Sequence, residues 1–202
     1  MPTIPLRKSS SMRELTYFIA CSVDGFIAHK DGSHDGFSQD EKYLADLFSD
    51  FPEMVPSHFR DAMGSPSENR CFDTVLMGRK TYDVGLKEGV TSPYTHLKQY
   101  VFSRSLQTSP DKNVELISTD AVGVVSSLKR EPGQGIWLYG GADLAAALFE
   151  HRLIDQLILK VNPFLMGAGI PLFAVEIQQT ALELTDRKVY DNGVLRLHYR
   201  LH

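Results

Sequence analysis

The stretch Ile136-Trp137-Leu138-Tyr139-Gly140-Gly141-Ala142-Asp143-Leu144-Ala145-Ala146-Ala147-Leu148 decides the fold. A short apolar run ends in two glycines, and an alanine- and leucine-rich helical pattern follows at once. The reading is strand, tight turn, helix start. Paired glycines let the backbone turn sharply and leave amide groups uncovered. A helix opens with unpaired N–H groups and the positive end of its dipole. Such a junction either holds a phosphate group or is a plain structural turn, and Gly-Gly alone does not separate the two.

Upstream, the same alternation repeats. Leu15 to Cys21 reads as a buried central strand, with Phe26-Ile27-Ala28 resuming after the Asp24-Gly25 break. His29 to Gly36 is loop. Ser38 is the expected cap of the next helix, with Glu41 as its capping-box partner and Leu44, Leu47 and Phe48 as its apolar stripe. Residues 51–69, broken by Pro52, Pro56, Gly64 and Pro66, form an irregular arm or lid with a short helix over His58 to Met63. Thr74 to Met77 is a strand starting at Cys71 or Phe72, and Gly78 to Tyr82 turns it into a short helix. Gly85 to Pro93 is expected as loop. Gln99 to Phe102 and Val114 to Ile117 are strands, and Thr119 or Asp120 caps a helix to about Arg130.

Nearly continuous apolar strands alternating with helices predict a mostly parallel central sheet with helices on both faces. The end of the chain differs. After the strand Gln156 to Val161, the runs Ala181 to Tyr190 and Val194 to Tyr199 are joined by Asp191-Asn192-Gly193, a strong hairpin signal. The sheet is therefore expected to finish in antiparallel strands, within one domain over residues 13–202. Residues 1–12 read as a disordered lead-in rather than a secretory signal.

Composition narrows the function. With 25 acidic against 21 basic residues, a net charge of -4 and no basic block, nucleic acid is not the expected partner. No apolar run is long enough to span a bilayer, so no membrane partner is expected either. Cys21 and Cys71 sit beside apolar runs and read as reduced core residues of a cytoplasmic protein. His29 and His34 share a loop but lack a carboxylate or cysteine set to complete a metal site, so no metal is expected. The dinucleotide fingerprint GxGxxG is absent, because Gly133-Gln134-Gly135 precedes its strand.

Three apolar strands run directly into small, basic or hydroxyl residues: Met77-Gly78-Arg79-Lys80-Thr81, Phe102-Ser103-Arg104-Ser105 and Tyr139-Gly140-Gly141-Ala142-Asp143. In a parallel sheet these ends share one edge, where ligands bind. Arg79 and Lys80 fall at a helix start, where the dipole disfavours exposed cations by about 0.3–1 kcal/mol each. A bound anion reverses that sign, and arginine's fork of donors suits phosphate. One phosphate at Gly140-Gly141 and another at Arg79 and Arg104 imply a dinucleotide. The alternative is that both arginines are solvated loop charges. Among candidate acids, Asp40 falls in the first turn of its helix, where it faces the cleft or supports the helix terminus.

Together, Ile19 to Ala28, Val75 to Tyr82, Val101 to Arg104 and Ile136 to Leu148 resemble the dihydrofolate reductase superfamily. They look closest to its bacterial reductase-like members and to the reductase domain of riboflavin biosynthesis. The resemblance implies a three-layer α/β fold and an NADPH-dependent reductase. It implies that Ala20 and Ile27 line the nicotinamide pocket, and that Gly78, Arg79, Lys80 and Thr81 hold the ribose phosphate and pyrophosphate. Ser103 and Arg104 would flank the adenosine end, and Gly140, Gly141, Ala142 and Asp143 the pyrophosphate. Asp40 would supply the proton and Leu44 and Phe48 would pack on a flat pterin-like or pyrimidine-like substrate. Two alternatives stand beside this: a ribosylamino-pyrimidine reductase, and a nucleotide-binding scaffold without turnover. The terminal strands and the long arm offer surface for a homodimer.

Overall fold

The computed structural model describes residues 12–66 and 68–202. The expected lead-in, apart from Met12, lies outside the described residues. In chain order the elements are β1 (Leu15–Ser22), β2 (Phe26–Ala28), α1 (Glu41–Asp50), α2 (Ser57–Arg60), β3 (Phe72–Gly78), α3 (Arg79–Lys87), β4 (Lys98–Phe102), β5 (Val114–Ile117), α4 (Ala121–Arg130), β6 (Gly135–Gly140), α5 (Ala142–Glu150), β7 (Gln156–Asn162), β8 (Ile170–Pro171), β9 (Leu182–Val189) and β10 (Leu195–Leu201). A 3-10 turn occupies Pro52–Met54.

Eight strands form one sheet in the order β5-β4-β3-β6-β1-β7-β10-β9, and β2 pairs separately with β8. The first six of these are parallel, while β10 runs antiparallel to β7 and to β9. This is the expected mostly parallel sheet with an antiparallel C-terminal hairpin. It follows from the strand chemistry, because side chains alternate between two covered faces. Trp137 packs with Phe18, Val75 and Ile158 beneath Tyr43 and Leu47 of α1 and Tyr82 of α3. Its neighbours Ile136 and Leu138 pack on the other face with Val125 and Leu128 of α4 and Leu144, Ala145 and Leu148 of α5. Each fully buried side chain of this size contributes about 1.5–3 kcal/mol.

Local expectations are corrected in four places. Asp40, not Ser38, caps α1: its Oδ1 accepts from the Tyr43 amide at 2.8 Å. Ser38 is instead drawn to β7, where its amide donates to Asn162 Oδ1 at 3.0 Å and its carbonyl accepts from Lys160. Glu41 is then the first helical residue and not a capping-box partner. Gly85 lies inside α3, which runs to Lys87. An added Cβ there would stand 3.1 Å from the Val90 carbonyl oxygen, so the close approach of the following turn calls for glycine. Cys71 is exposed, whereas Cys21 is buried as expected. The helix expected over His58 to Met63 starts at Ser57 and gives way to turn after Arg60.

The irregular arm is a packing element, and Glu53 ties it to β3. Glu53 is completely buried and accepts from the backbone amides of Arg70 (3.1 Å), Cys71 (2.8 Å) and Phe72 (2.7 Å). Those three donors precede or open β3 and would otherwise lie unpaired. At the far edge, β9 leaves Leu182, Leu184 and Val189 exposed.

Candidate active site

Strands β4, β3 and β6 are neighbours, so their carboxyl ends bring Ser103, Gly78 and Gly140 to one edge. Two helices start there side by side. Gly78 opens α3 and Gly141 opens α5, and among the described residues neither helix has a side-chain cap. By contrast, α1 and α4 are capped by the carboxylates of Asp40 and Asp120. The amides at the two glycine starts are thus left to another acceptor. The Gly140–Gly141 peptide is cis, and Gly140 has φ +144°, a backbone position that favours glycine.

The two junctions touch. A Cβ added to Gly78 would stand 3.0 Å from the Gly141 nitrogen, and one added to Gly140 would stand 3.2 Å from Thr81 Oγ1. Gly78, Thr81, Gly140 and Gly141 therefore form one close-walled cradle. Ala142 and Ile27 join it from behind, packed with Cys21 in a small apolar cluster. Arg79 stands at the α3 start with no acid in that helix's first turn. Its Nε donates to Asp83 Oδ1 at 2.7 Å, which steadies the side chain. Lys80, Arg104 and Asp143 are exposed. Ser103 is committed elsewhere: its buried Oγ accepts from the Leu106 amide at 2.9 Å and shapes the turn after β4.

The predicted substrate residues Leu44 and Phe48 lie on α1, and the predicted nicotinamide-wall residue Ala20 lies on β1. Ala20 is half-buried and has Lys160 of β7 as its Cα partner. Leu44 and Phe48 are half-buried against the core cluster on which Tyr139, near the end of β6, also packs. The Asp40 carboxylate caps α1 through Oδ1, so it supports the helix terminus, the second of the two roles expected for it.

Two residues here, Lys160 and Asn162, escaped the sequence reading. Lys160 is 7% exposed, its ammonium donates to the Ser38 carbonyl, and it lies 4.3 Å from the Tyr43 ring centroid. Burial lowers its pKa to about 8, opposed by the charge of Asp40. Asn162, fully buried, binds the Cys21 carbonyl at 3.2 Å as well as the Ser38 amide. Asp24 holds the loop after β7, accepting from the amides of Met166 (3.0 Å) and Gly167 (2.7 Å). A lone lysine within Leu157-Ile158-Leu159-Lys160-Val161 is the one signal that could have marked this group.

A cavity of about 900 Å³ lies elsewhere, at the amino ends of β1, β3, β6 and β7, lined by Arg13, Thr16, Phe72, Gln156 and His198 among others. It is separate from the glycine junctions at the opposite edge of the sheet.

Residues 13–196 match the sequence profile of the RibD C-terminal domain. The chain belongs to that family. The Bacillus subtilis (strain 168) protein YwjB is 34% identical over 187 residues, covering 93% of this chain and 97% of YwjB. Among solved structures, a Shewanella sp. PV-4 protein assigned to riboflavin biosynthesis superposes with a TM-score of 0.66 at 23% identity, covering 94% of this chain and 99% of that one. A Thermotoga maritima diaminohydroxyphosphoribosylaminopyrimidine deaminase/5-amino-6-(5-phosphoribosylamino)uracil reductase superposes at 0.61 with 13% identity. This chain covers only 57% of it, and 95% of this chain is matched. At these identities the two structures share the fold. RibD-type reductase membership makes the chain a candidate oxidoreductase of the riboflavin-biosynthesis type.

Proposed function

We propose that this protein is an NADPH-dependent reductase that delivers a hydride to a C=N or C=O group of a pyrimidine-type heterocycle. The observation that carries this is the pair of glycine-started helices, α3 and α5, whose uncapped N-termini meet at Gly78 and Gly141. Two adjacent sets of free amides, with Arg79 beside one of them, fit the pyrophosphate of a dinucleotide. Arg79 and Arg104 together exceed what one pyrophosphate needs, which favours the additional phosphate of NADPH over NADH.

The nicotinamide, when bound, supplies the hydride. The chain's own residues do the rest. Ala20 and Ile27 wall the ring pocket, and Leu44, Phe48 and Tyr139 present apolar surface to a flat acceptor. Holding the reactants in contact within this wall is the largest contribution the protein makes. Asp40, with Oδ2 outside the capping bond, holds or moves a proton at the acceptor's heteroatom.

The Thermotoga protein's name specifies reduction of a phosphoribosylamino-uracil, which supports a ribosylamino-pyrimidine as the natural acceptor. A homodimer through the exposed apolar edge of β9 is part of the same proposal, and sedimentation reads it directly. The functional test is loss of NADPH absorbance with a panel of ribosylamino-pyrimidines and dihydropterins, repeated in Asp40→Asn. Turnover on a pyrimidine that falls at least tenfold in the variant is expected. No turnover on any member, or an unchanged rate in the variant, contradicts the reading or the role of Asp40 respectively.

A further inference from the structure

The cavity at the amino ends of β1, β3, β6 and β7 holds buried polar groups that the fold does not use. Arg13 lines it and is 5% exposed. The Arg13 Nε donates to the Gln134 carbonyl at 2.5 Å, and its Nη2 donates to Asp73 and, at 2.8 Å, to Thr74 Oγ1. The Pro132-Gly133-Gln134-Gly135 turn closes over this side chain, so that a Cβ on Gly133 would stand 3.0 Å from Arg13 Cζ. A guanidinium has five N–H groups. The Nη1 atom carries two of them and has no acceptor among the described residues. His198 lines the same cavity, and its Nε2 is likewise unpartnered. Burial, then the charge of Arg196, lowers the His198 pKa, so its ring is neutral at pH 7. Phe51, Phe72 and Ile158 supply an apolar wall, with the rings of Phe51 and Phe72 stacked at 5.8 Å and 12°. A buried donor without an acceptor is costly, and the volume beside it is large enough for a small molecule.

Charge selects the class of ligand. The other charged residues around the cavity are Glu14, Arg130 and Glu131, all exposed. Two arginines are thus set against two glutamates, and Asp73, ion-paired with Arg13, tips the balance negative. An anion is disfavoured there, whereas a carbonyl oxygen accepts from Nη1 without bringing charge. We propose that this cavity is a second ligand site, taking a neutral flat ring that bears a carbonyl group. The carbonyl oxygen accepts from Arg13 Nη1, and the ring lies against the wall of Phe51, Phe72 and Ile158. The site stands at the opposite edge of the sheet from the glycine cradle and does not depend on the reductase reading.

The test uses three probes of one shape: 2-quinolinone, which carries the carbonyl, quinoline, which lacks it, and quinoline-2-carboxylate, which is an anion. Each is titrated calorimetrically into the full chain at neutral pH. Cys71 gives a second readout, because it lines the cavity and is exposed while Cys21 is buried, so a maleimide reports on Cys71. The quinolinone is expected to bind at least tenfold more tightly than either other probe and to slow Cys71 labelling. Arg13→Lys keeps a cation for Asp73 but removes Nη1, and should weaken quinolinone binding about tenfold, the value of one hydrogen bond to a charged donor. Cys71→Trp narrows the cavity from its exposed side and should abolish binding. Should Arg13→Lys fail to fold, the ranking of the probes and the Cys71→Trp result still decide. No saturable binding of the quinolinone, equal or tighter binding of quinoline or the carboxylate, binding that leaves Cys71 unprotected, or an affinity unchanged in either folded variant overturns the proposal.

Discussion

Gly78 and Gly141 open adjacent helices so closely that a methyl group on the first would stand 3.0 Å from the amide nitrogen of the second. Gly78 has φ -72°, a conformation any residue adopts. Gly78→Ala therefore perturbs the cradle without straining its own backbone. The expected outcome is a folded protein whose NADPH affinity falls at least tenfold, because the two sets of amides are pushed apart. Fluorescence titration with NADPH, alongside a thermal melt, checks it.

Glu53 ties the arm to the start of β3 through three backbone amides. Glu53→Ala leaves one buried and two part-buried amide donors without an acceptor, at about 1–3 kcal/mol for each group not rescued by water. We expect a loss of about 3 kcal/mol in denaturant unfolding, with the slope unchanged.

Lys160→Met is expected to raise stability. Replacing a buried charge with an apolar side chain of similar volume is often stabilising, by about 1–4 kcal/mol. The pH dependence has a definite sign. The folded value of Lys160 lies near 8, below its ordinary 10.5, so the unfolded chain binds more protons between those limits. Stability gained from this group therefore rises with pH across that window. Melting of wild type and variant from pH 7 to 10 should show the variant's advantage shrinking.

The Asp24 carboxyl is held down to about 2, chiefly by the Met166 amide, then by the Ser22 hydroxyl and the Gly167 amide. Its folded value is depressed, so its clasp on the 163–169 loop is complete above the ordinary carboxylate value and lost as pH falls through 2. Asp24→Asn should speed amide hydrogen exchange at Met166 and Gly167 at neutral pH, with little change in melting temperature, because the group is exposed.

The sheet was legible because its signals are local. Ile136-Trp137-Leu138 and Val75-Leu76-Met77 are apolar on both faces, and Asn192-Gly193 turns a hairpin. The strand-to-helix turns at Gly78 and at Gly140-Gly141 were legible for the same reason. The helix cap was not, because Ser38 and Asp40 are equally able to cap and the choice was made by Asn162 and Lys160, over 120 residues away. Glu53 reads as one more polar residue in a proline-rich arm until the amides of β3 arrive beside it. Lys160 reads as an interruption of an apolar strand, and its meaning depends on the helix that α1 lays over it.

The proposed cofactor role of the glycine cradle is tested most directly by titrating NADPH and NADH into wild type and Arg79→Ala. Arg79 stands at the start of α3, which has no side-chain cap among the described residues, and its Nε is steadied by Asp83. Wild type should bind NADPH more tightly than NADH, and Arg79→Ala should lose about tenfold or more for NADPH and distinctly less for NADH. NADPH affinity and preference that are both unchanged in Arg79→Ala would contradict the account.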